Sequence, residues 1–431
     1  MCLSVAVWRS RLSDCLRPVI PGVCRWHRRV IGGCLVVGVA TSVVADERSY
    51  TQLVNVLRDH PAVRAELAQA RRWEASAQGA MGWPKPSLSV GLNNVPLTAP
   101  TDFDRYLPSN KSLEFKQAIP NRRGRQALRG AFDAQAEVTR LRAMQTLAGL
   151  EVRMIIALAE RERIAASKQL LDQQALLLDE LDHWLRGELA AGSGVYARLD
   201  EIDVRRGRIA ETRLVLDGED QRWRAELLSL LEVVPDPDRL PALAPHQWQG
   251  DDQAFIAVRV ATLQEAVARA RVKQHAADLG VDYAVGVAWQ QRESSATFDG
   301  DDWVTLKFTV NVPLWAASNQ RPKFLAAEQN AAGAKAGIAQ KVRESRADHA
   351  RALAELDTAE HLIQALAVRR QHLRDLEKAN RRRYEAGDGS LEDVIRPAMQ
   401  SLTLDIDLAK HRARRTIAAA RINALLMEDA R

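Results

Sequence analysis

Four short segments of the chain alternate apolar and polar residues with a period of two, which is the pattern of a strand with one apolar face. These segments cover residues 87–92, 112–119, 281–290 and 304–312. Such segments fit an ordinary half-buried antiparallel sheet, and they also fit strands that cross a membrane as part of a barrel. The alternation predicts four strands, and it leaves both settings open.

Two long stretches between these segments favour helices instead. Proline is absent from residues 121–234 and 323–396, and both stretches are rich in Ala, Leu, Arg, Glu and Gln, the strong helix formers. We predict long helices over residues 125–188 and 322–385, each spanning about 95 Å. Each is followed by a glycine turn and a return helix. Shorter helices are predicted before each strand pair, at residues 51–81 and 252–278.

The second half of the chain repeats the first. Phe-Lys-Gln-Ala-Ile-Pro at residues 115–120 returns as Phe-Thr-Val-Asn-Val-Pro at 308–313, and Ala-Gly-Ser-Gly at 191–194 returns as Ala-Gly-Asp-Gly at 386–389. Matches in the same order, about 195 residues apart, indicate an internal duplication. We therefore predict one structural repeat over residues 46–234 and another over 252–431. The proline-rich linker between them covers residues 235–251.

The first 45 residues differ in composition from the rest. They hold six arginines, one acidic residue and all four cysteines, and residues 30–44 form an apolar run. This arrangement predicts a secretory signal peptide over residues 1–45, cleaved after Ala45. An uncleaved anchor is the alternative, although the run is shorter than the ~20 residues of a membrane-spanning helix.

Charge and composition exclude several functions for the mature chain. Outside the leader 55 basic and 54 acidic residues remain, so there is no basic surplus that would predict nucleic-acid binding. The absence of cysteine there excludes disulfides, zinc–thiolate sites and a cysteine nucleophile. Neither the histidine spacing nor any phosphate-loop or hydrolase motif indicates a metal, a cofactor or an enzyme. We expect none of the three.

The strands and helices together predict a mainly α fold with a small β part. Four strands cannot close a barrel, since about eight are the minimum, but four from each chain of a trimer would give twelve. Four tryptophans lie at or near strand ends, where an aromatic girdle would sit: Trp83, Trp289, Trp303 and Trp315. Twelve strands would be enough to close a transmembrane β-barrel.

Three local motifs in this order resemble the TolC-type outer membrane factor family. They are His-Pro-Ala-Val-Arg at residues 60–64, Gln-Ala-Ile-Pro-Asn-Arg-Arg-Gly-Arg at 117–125, and Tyr-Glu-Ala-Gly-Asp-Gly-Ser-Leu-Glu-Asp-Val at 384–394. His60 stands where the family usually has asparagine. The resemblance covers nearly the whole mature chain, and the short loops look like the cobalt–zinc–cadmium resistance branch.

The resemblance implies a location and a set of partners. It implies a homotrimer held by outer membrane lipid and extending into the periplasm. The architecture it implies is a trimeric α-barrel of long antiparallel helical hairpins below a twelve-stranded transmembrane β-barrel. There it would be the passive exit duct for a periplasmic adaptor protein and an inner-membrane pump such as an RND transporter, with heavy-metal cations as one candidate cargo. A type I protein secretion duct and a periplasmic coiled-coil scaffold outside the membrane are the alternatives.

The resemblance also implies three groups of functional residues. Polar residues on the inner strand face would line the pore, unless they only solvate one face of a sheet: Glu114, Lys116, Lys307 and Asn311. The family's gate lies at the periplasmic tip beside the glycine turns and often carries acidic residues. At the equivalent places in this chain we predict a mixed ring of charges, unless these are ordinary surface charges: Asp393, Arg396, Arg198 and Glu201. Arg396 stands where the family has a second acid. The outermost turns would meet the adaptor, unless they serve chain reversal alone: Gly192, Gly194, Tyr384, Gly387 and Gly389.

Overall fold

The computed structural model describes residues 49–95, 97, 109–192, 194–236, 240–292 and 299–427. The predicted signal peptide over residues 1–45 and part of the predicted linker lie outside these residues. The helices are α1 (Tyr50–Arg58), α2 (Pro61–Ala80), α3 (Arg122–Ala190), α4 (Tyr196–Leu231), α5 (Ile256–Ala277), α6 (Gln320–Glu385) and α7 (Leu391–Leu425). The strands are β1 (Ser87–Asn93), β2 (Asn110–Ile119), β3 (Asp282–Gln291) and β4 (Trp303–Asn311).

The two long helices are confirmed. Helix α3 has 69 residues and α6 has 66, so each is about 100 Å long. Asn121 caps α3, because its side-chain oxygen accepts a hydrogen bond from the Arg123 N–H at 2.9 Å. Ser390 does the same for α7 by accepting from the Asp393 N–H at 3.3 Å. Capping residues next to each helix start therefore determine where α3 and α7 begin.

The single first helix predicted over residues 51–81 is wrong. The chain breaks between Arg58 and Pro61, because proline restricts the residue before it and has no N–H to continue a helix. His60 then caps α2 by accepting a hydrogen bond from the Ala62 N–H at its Nδ1. The helix predicted over 252–278 is likewise a short 3₁₀ turn followed by α5.

Helix α3 is the central element, because it packs against α2, α4, α5 and α7. The hydrophobic cluster near its middle joins it to α1 and α4 through fully buried leucines and a methionine: Leu53, Leu57, Met154, Leu158 and Leu227. Helix α6 packs along α7 and against α5. The four helices of the two long hairpins therefore pack side by side in the order α4, α3, α7, α6.

The linker between the repeats is packed against the helices. Asn423 of α7 accepts a hydrogen bond from the His246 N–H at 2.7 Å and donates one to the Ala244 carbonyl at 3.0 Å. Trp248 contacts the rings of Phe255 and His349. These contacts fix the described part of the linker to the end of α7.

All four strands form one antiparallel sheet in the order β1-β2-β3-β4. The register places Val90 opposite Leu113, Leu113 opposite Trp289, and Trp289 opposite Val304. Strands β2 and β3 join the two halves of the chain, so β1 and β4 are the outer edges. Among the residues that the structure describes, each outer strand is paired on one side only.

Within the described ranges, none of the helices combines the length and the apolar content that a membrane-crossing helix needs.

Candidate pore, gate and tip surfaces

The strand alternation sorts the sheet into one apolar and one polar face. Val90 and Leu306 lie on the apolar face and are 81% and 78% exposed. Tyr283 and Phe308 stack on the same face with ring centroids 5.7 Å apart. None of the described helices covers this face. The interpretation as an ordinary half-buried sheet therefore does not hold within the single chain.

The four predicted pore residues lie on the polar face. Lys307 Nζ is 3.1 Å from Glu114 Oε1, and both side chains are partly exposed. Gly286 lies opposite both Lys116 and Lys307 in the register, and it leaves room for the ion pair to cross β3. The structure thus brings Glu114, Lys116 and Lys307 together around one glycine. Asn311 lies apart from them, opposite Asp282 near the helical end.

Of the predicted gate residues, three line one small cavity at the tip of the helices. These are Arg198, Glu201 and Arg396. The fourth, Asp393, lies elsewhere: its carboxylate accepts a hydrogen bond from the Ser390 hydroxyl at 2.9 Å, and its carbonyl accepts one from Asn380 at 2.7 Å. Within one chain Asp393 therefore fixes the start of α7.

Glu392 joins the two candidate gate arginines, Arg198 and Arg396. It is not among the gate residues predicted from the sequence. Its Oε2 lies 3.3 Å from Arg198 Nη1, and its Oε1 accepts a hydrogen bond from Arg396 Nη2 at 2.8 Å. Glu201 pairs with Arg205 on its own helix. The i, i+4 spacing of Glu392 and Arg396 is the sequence signal that could have indicated this pair. Its link to Arg198 depends on tertiary packing.

The two helical tips pack together through an apolar cluster beside these charges. Leu181 and Leu185 of α3 and Ile202 of α4 contact Leu391 and Ile395 of α7. The cluster positions Arg198 of α4 next to the first turn of α7. The charged contacts and the apolar contacts therefore join the same two hairpins.

Ion pairs within α3 and between α3 and α4 lie just above the tip. The Arg186 guanidinium donates a hydrogen bond to Asp182 at 2.9 Å and holds the pKa of that carboxyl below its ordinary value. Arg206 of α4 bonds to Asp179 of α3 at 2.7 Å, and this bond raises the pKa of Arg206. Asp182 and Arg206 therefore stay charged across the neutral range.

The predicted tip residues fall into two kinds. Gly192 and Gly387 have φ angles of 95° and 79°, a left-handed backbone that favours glycine. Gly194 and Gly389 do not, although a side chain at Gly389 would touch the backbone of Tyr384. Tyr384 itself is half-buried against the apolar cluster of the tips. The exposed part of each turn is therefore the glycine-containing loop.

Within the part of the chain that the structure describes, no group of three or more His, Cys, Asp or Glu side chains is placed to hold a metal ion. A cavity of about 360 Å³ between α1, α3, the linker and α7 contains Tyr50, whose hydroxyl donates to Glu151 at 2.7 Å. Burial and this bond raise the pKa of the tyrosine. The pair connects α1 to α3.

No protein-family model matches the chain, and no curated protein matches its sequence. Solved structures with the same fold do exist. A membrane protein from Pseudomonas aeruginosa superposes with a TM-score of 0.71 at 16% identity, over 89% of this chain and 91% of that one. The outer membrane protein VceC from Vibrio cholerae gives 0.68 at 15% identity, over 87% and 95%.

The open state of the MtrE outer membrane channel from Neisseria gonorrhoeae gives a TM-score of 0.67 at 13% identity, over 87% of this chain and 88% of that one. At such low identity the likeness shows the fold. The chain has the fold of the outer membrane channels, and the resemblance to the TolC-type outer membrane factors is confirmed at that level.

Proposed function

We propose that this chain is an outer membrane efflux channel that acts as a homotrimer. Three copies of the four-stranded sheet would close into a twelve-stranded barrel in the outer membrane, and the helical hairpins would form a tunnel through the periplasm. The duct is passive and conducts cargo from a periplasmic adaptor and an inner-membrane pump, such as an RND transporter, to the exterior.

The observation that carries this proposal is that the sheet is incomplete within one chain. It is too small to close on itself, its two outer edges have no neighbouring strand among the described residues, and its exposed face is apolar. Pairing β1 of one chain with β4 of the next satisfies the open edges, and lipid covers the apolar face. The structural neighbours, which include outer membrane channels, support the same location and general role.

The charged cavity at the tip is the candidate gate. Arg198, Glu201 and Arg396 line it, and Glu392 joins two of them. We place Glu392 in this group beside the residues predicted from the sequence. Threefold repetition would bring three such groups around one axis, where they control passage by charge and by contact. Asp393 supports the group by hydrogen bonding to Ser390, the residue that caps α7.

The exposed turns at Gly192 and Gly387 are the candidate adaptor-docking surface, because they form the ends of the hairpins. On the polar sheet face, Glu114, Lys116, Lys307 and Asn311 are the candidate pore residues. Heavy-metal cations remain one candidate cargo, and a type I secretion role is compatible with the same fold. The periplasmic scaffold is disfavoured, since a scaffold has no use for an uncovered apolar sheet face.

The proposal is tested by fractionating cells and imaging the purified protein by negative stain. We expect recovery from the outer membrane and a threefold tube roughly 130 Å long, from about 100 Å of helix and about 30 Å of strand. Recovery as a soluble periplasmic rod would contradict the barrel and favour the scaffold.

Cargo is tested by deleting the gene and comparing sensitivity to metal salts with sensitivity to apolar antibiotics and detergents. Sensitivity to the metals alone would support the heavy-metal candidate. Sensitivity to the antibiotics alone would reject it. Loss of a secreted polypeptide without either change would favour type I secretion.

A further inference from the structure

The end of the sheet that adjoins the helices carries exposed positive charge in both halves of the chain. We call this group the basic end, and it consists of Lys85, Arg122, Arg123, Arg321 and Lys323. Lys85 precedes β1. Arg122 and Arg123 lie in the first turn of α3, and Arg321 and Lys323 lie in the first turn of α6. Within the described ranges none of the five forms an ion pair. Their ammonium and guanidinium groups are therefore free for an outside partner.

Helix stability does not explain this placement. The N-terminus of a helix carries a partial positive charge, so cations in the first turn are unfavourable and acids are preferred there. Helix α7 follows that preference with Glu392 and Asp393, but the first turns of α3 and α6 contain no acid. Both long helices thus tolerate a local electrostatic cost at the same level of the molecule.

Exposed tryptophans lie at the same level. Trp83 precedes β1 and Trp315 follows β4, and they are 63% and 74% exposed. The Arg125 guanidinium lies over the Trp83 ring at 5.7 Å. Tryptophan beside an apolar surface is typical of the boundary between lipid tails and head groups. These rings therefore mark where the apolar face of the sheet ends.

The opposite end of the sheet has a different charge. Asp299, Asp301 and Asp302 lie exposed just before β4. Lys111 and Arg292 also lie at that end, but both have partners within the chain. Among the residues that the structure describes, the free positive charge at the ends of the sheet therefore lies at the helical end, and these residues make the sheet electrostatically asymmetric along its strands.

We propose that the basic end binds the head groups of anionic phospholipids in the periplasmic leaflet. This inference rests on the proposed function, because it requires the apolar face to lie in the outer membrane. Free cations next to an apolar, tryptophan-edged surface are complementary to a layer of phosphate groups above a layer of acyl chains. The contact fixes the depth of the barrel in the membrane.

The test is native mass spectrometry of the purified full-length protein in detergent, titrated with phosphatidylglycerol or with phosphatidylcholine. We expect tighter binding of phosphatidylglycerol. The quadruple variant Arg122→Gln, Arg123→Gln, Arg321→Gln, Lys323→Gln should weaken that binding about tenfold or more. One cation near an anionic surface accounts for roughly a fivefold change.

Two matched variants control for net charge and for folding. Replacing Arg369, Arg374, Arg381 and Arg382 of α6 by Gln removes the same charge far from the sheet, and it should leave the lipid preference unchanged. A second variant that changes Arg122, Arg123 and Arg321 to Lys keeps the charge and should keep the preference. Equal loss in the distant variant, or loss in the lysine variant, would overturn the inference.

Flotation with vesicles separates this inference from the proposed function. A protein that enters phosphatidylcholine vesicles as readily as vesicles containing phosphatidylglycerol, with no preference in the titration, is a membrane channel without a head-group site. A protein that floats with neither vesicle contradicts the proposed function and the inference together. Displacement of bound phosphatidylglycerol by inorganic phosphate alone would show a phosphate site and overturn the assignment to lipid.

Discussion

At the residue scale, Glu392 is the most informative side chain of the candidate gate. It accepts contacts from Arg198 of α4 and Arg396 of α7, and so it joins two hairpins. An exposed pair of this kind contributes about 0–1 kcal/mol to stability. Under the proposed function, its role is therefore better sought in channel opening than in folding.

Substituting Glu392→Gln should raise conductance and leave folding intact. The change removes the charge that holds Arg198 near α7, so the tips separate more readily. Single-channel recording in planar bilayers measures the effect. Glu355→Gln is the matched control, because Glu355 also pairs with an α7 arginine but lies far from the tip. Equal conductance in both variants and in the parent would remove Glu392 from the gate.

Two glycines should respond oppositely to alanine. Gly387 has a left-handed backbone, so Gly387→Ala should cost about 1 kcal/mol. Gly207 lies inside α4 with open space around its Cα, so Gly207→Ala should stabilise by about 0.5–1 kcal/mol. Chemical denaturation of the solubilised protein compares the two. A stabilised Gly387→Ala variant would contradict the assigned turn.

The candidate site was only partly predictable from single residues. Arg198, Glu201 and Arg396 were predicted from their distance to the glycine turns, and the structure brings them to one cavity. The partner of Arg198 was not predictable, because Glu392 and Asp393 are adjacent acids in sequence and only tertiary packing selects between them. Only the start of α7 at Leu391, fixed by the Ser390 cap, turns one toward Arg198 and the other toward the cap.

At the element scale, the strands carry the strongest sequence signal. Alternation predicted which side chains share a face, and the apolar positions do share one exposed face. The pairing of β2 with β3 was not predictable, since the two strands are far apart in sequence and similar in pattern. The break in the first helix was visible at Pro61, but its neighbours continue a helical composition that hides it.

A lysine on β1 should distinguish the two faces of the sheet. Val90→Lys places a charge on the apolar face, where lipid exposure costs roughly 2–4 kcal/mol near the midplane. Ser89→Lys is the matched control, because it lies next along the strand and faces the polar side. We expect loss of outer-membrane recovery for the first variant alone. Equal recovery of both would contradict a lipid-facing β1.

At the scale of the whole molecule, ion pairs join α3 to α4 over much of their length. Arg161 of α3 is 7% exposed and lies 3.0 Å from Asp220 of α4. Arg161 also donates to the Pro235 carbonyl at 2.6 Å, at the start of the linker. Lys168 and Asp217 continue the row towards the tip. Ion pairs therefore join the two helices of this hairpin from the linker end towards the tip.

This row makes stability depend on pH. Burial alone would raise the pKa of Asp220, but hydrogen bonds from Arg224 and Arg161 outweigh it and hold the pKa below the ordinary 3.8. A carboxyl whose pKa is lowered by folding stabilises the protein above its unfolded value, and that contribution is lost as pH falls through the folded value. We expect the contribution to be complete at pH 7 and to decline below about pH 4.

Thermal unfolding from pH 7 downward measures the effect. The Asp220→Asn variant should be less stable at pH 7 and should lose less stability on acidification. Asp133→Asn is the control, because Asp133 is largely exposed beside Arg129. A parent and an Asp220→Asn variant with the same pH dependence would show that this pair contributes nothing to it.

The unpaired outer strands also have a kinetic consequence. A chain that presents a free β1 on one side and a free β4 on the other can add a neighbour at either edge. Such head-to-tail contacts leave one free strand at each end of an open oligomer. Both free strands are paired only when the oligomer closes into a ring, and an open oligomer continues to add protomers. Assembly then depends on protomer concentration, and a slow closure step favours open oligomers. For the proposed trimer, dilution slows the addition of further protomers more than it slows ring closure by three protomers. Dilution should therefore raise the yield of rings.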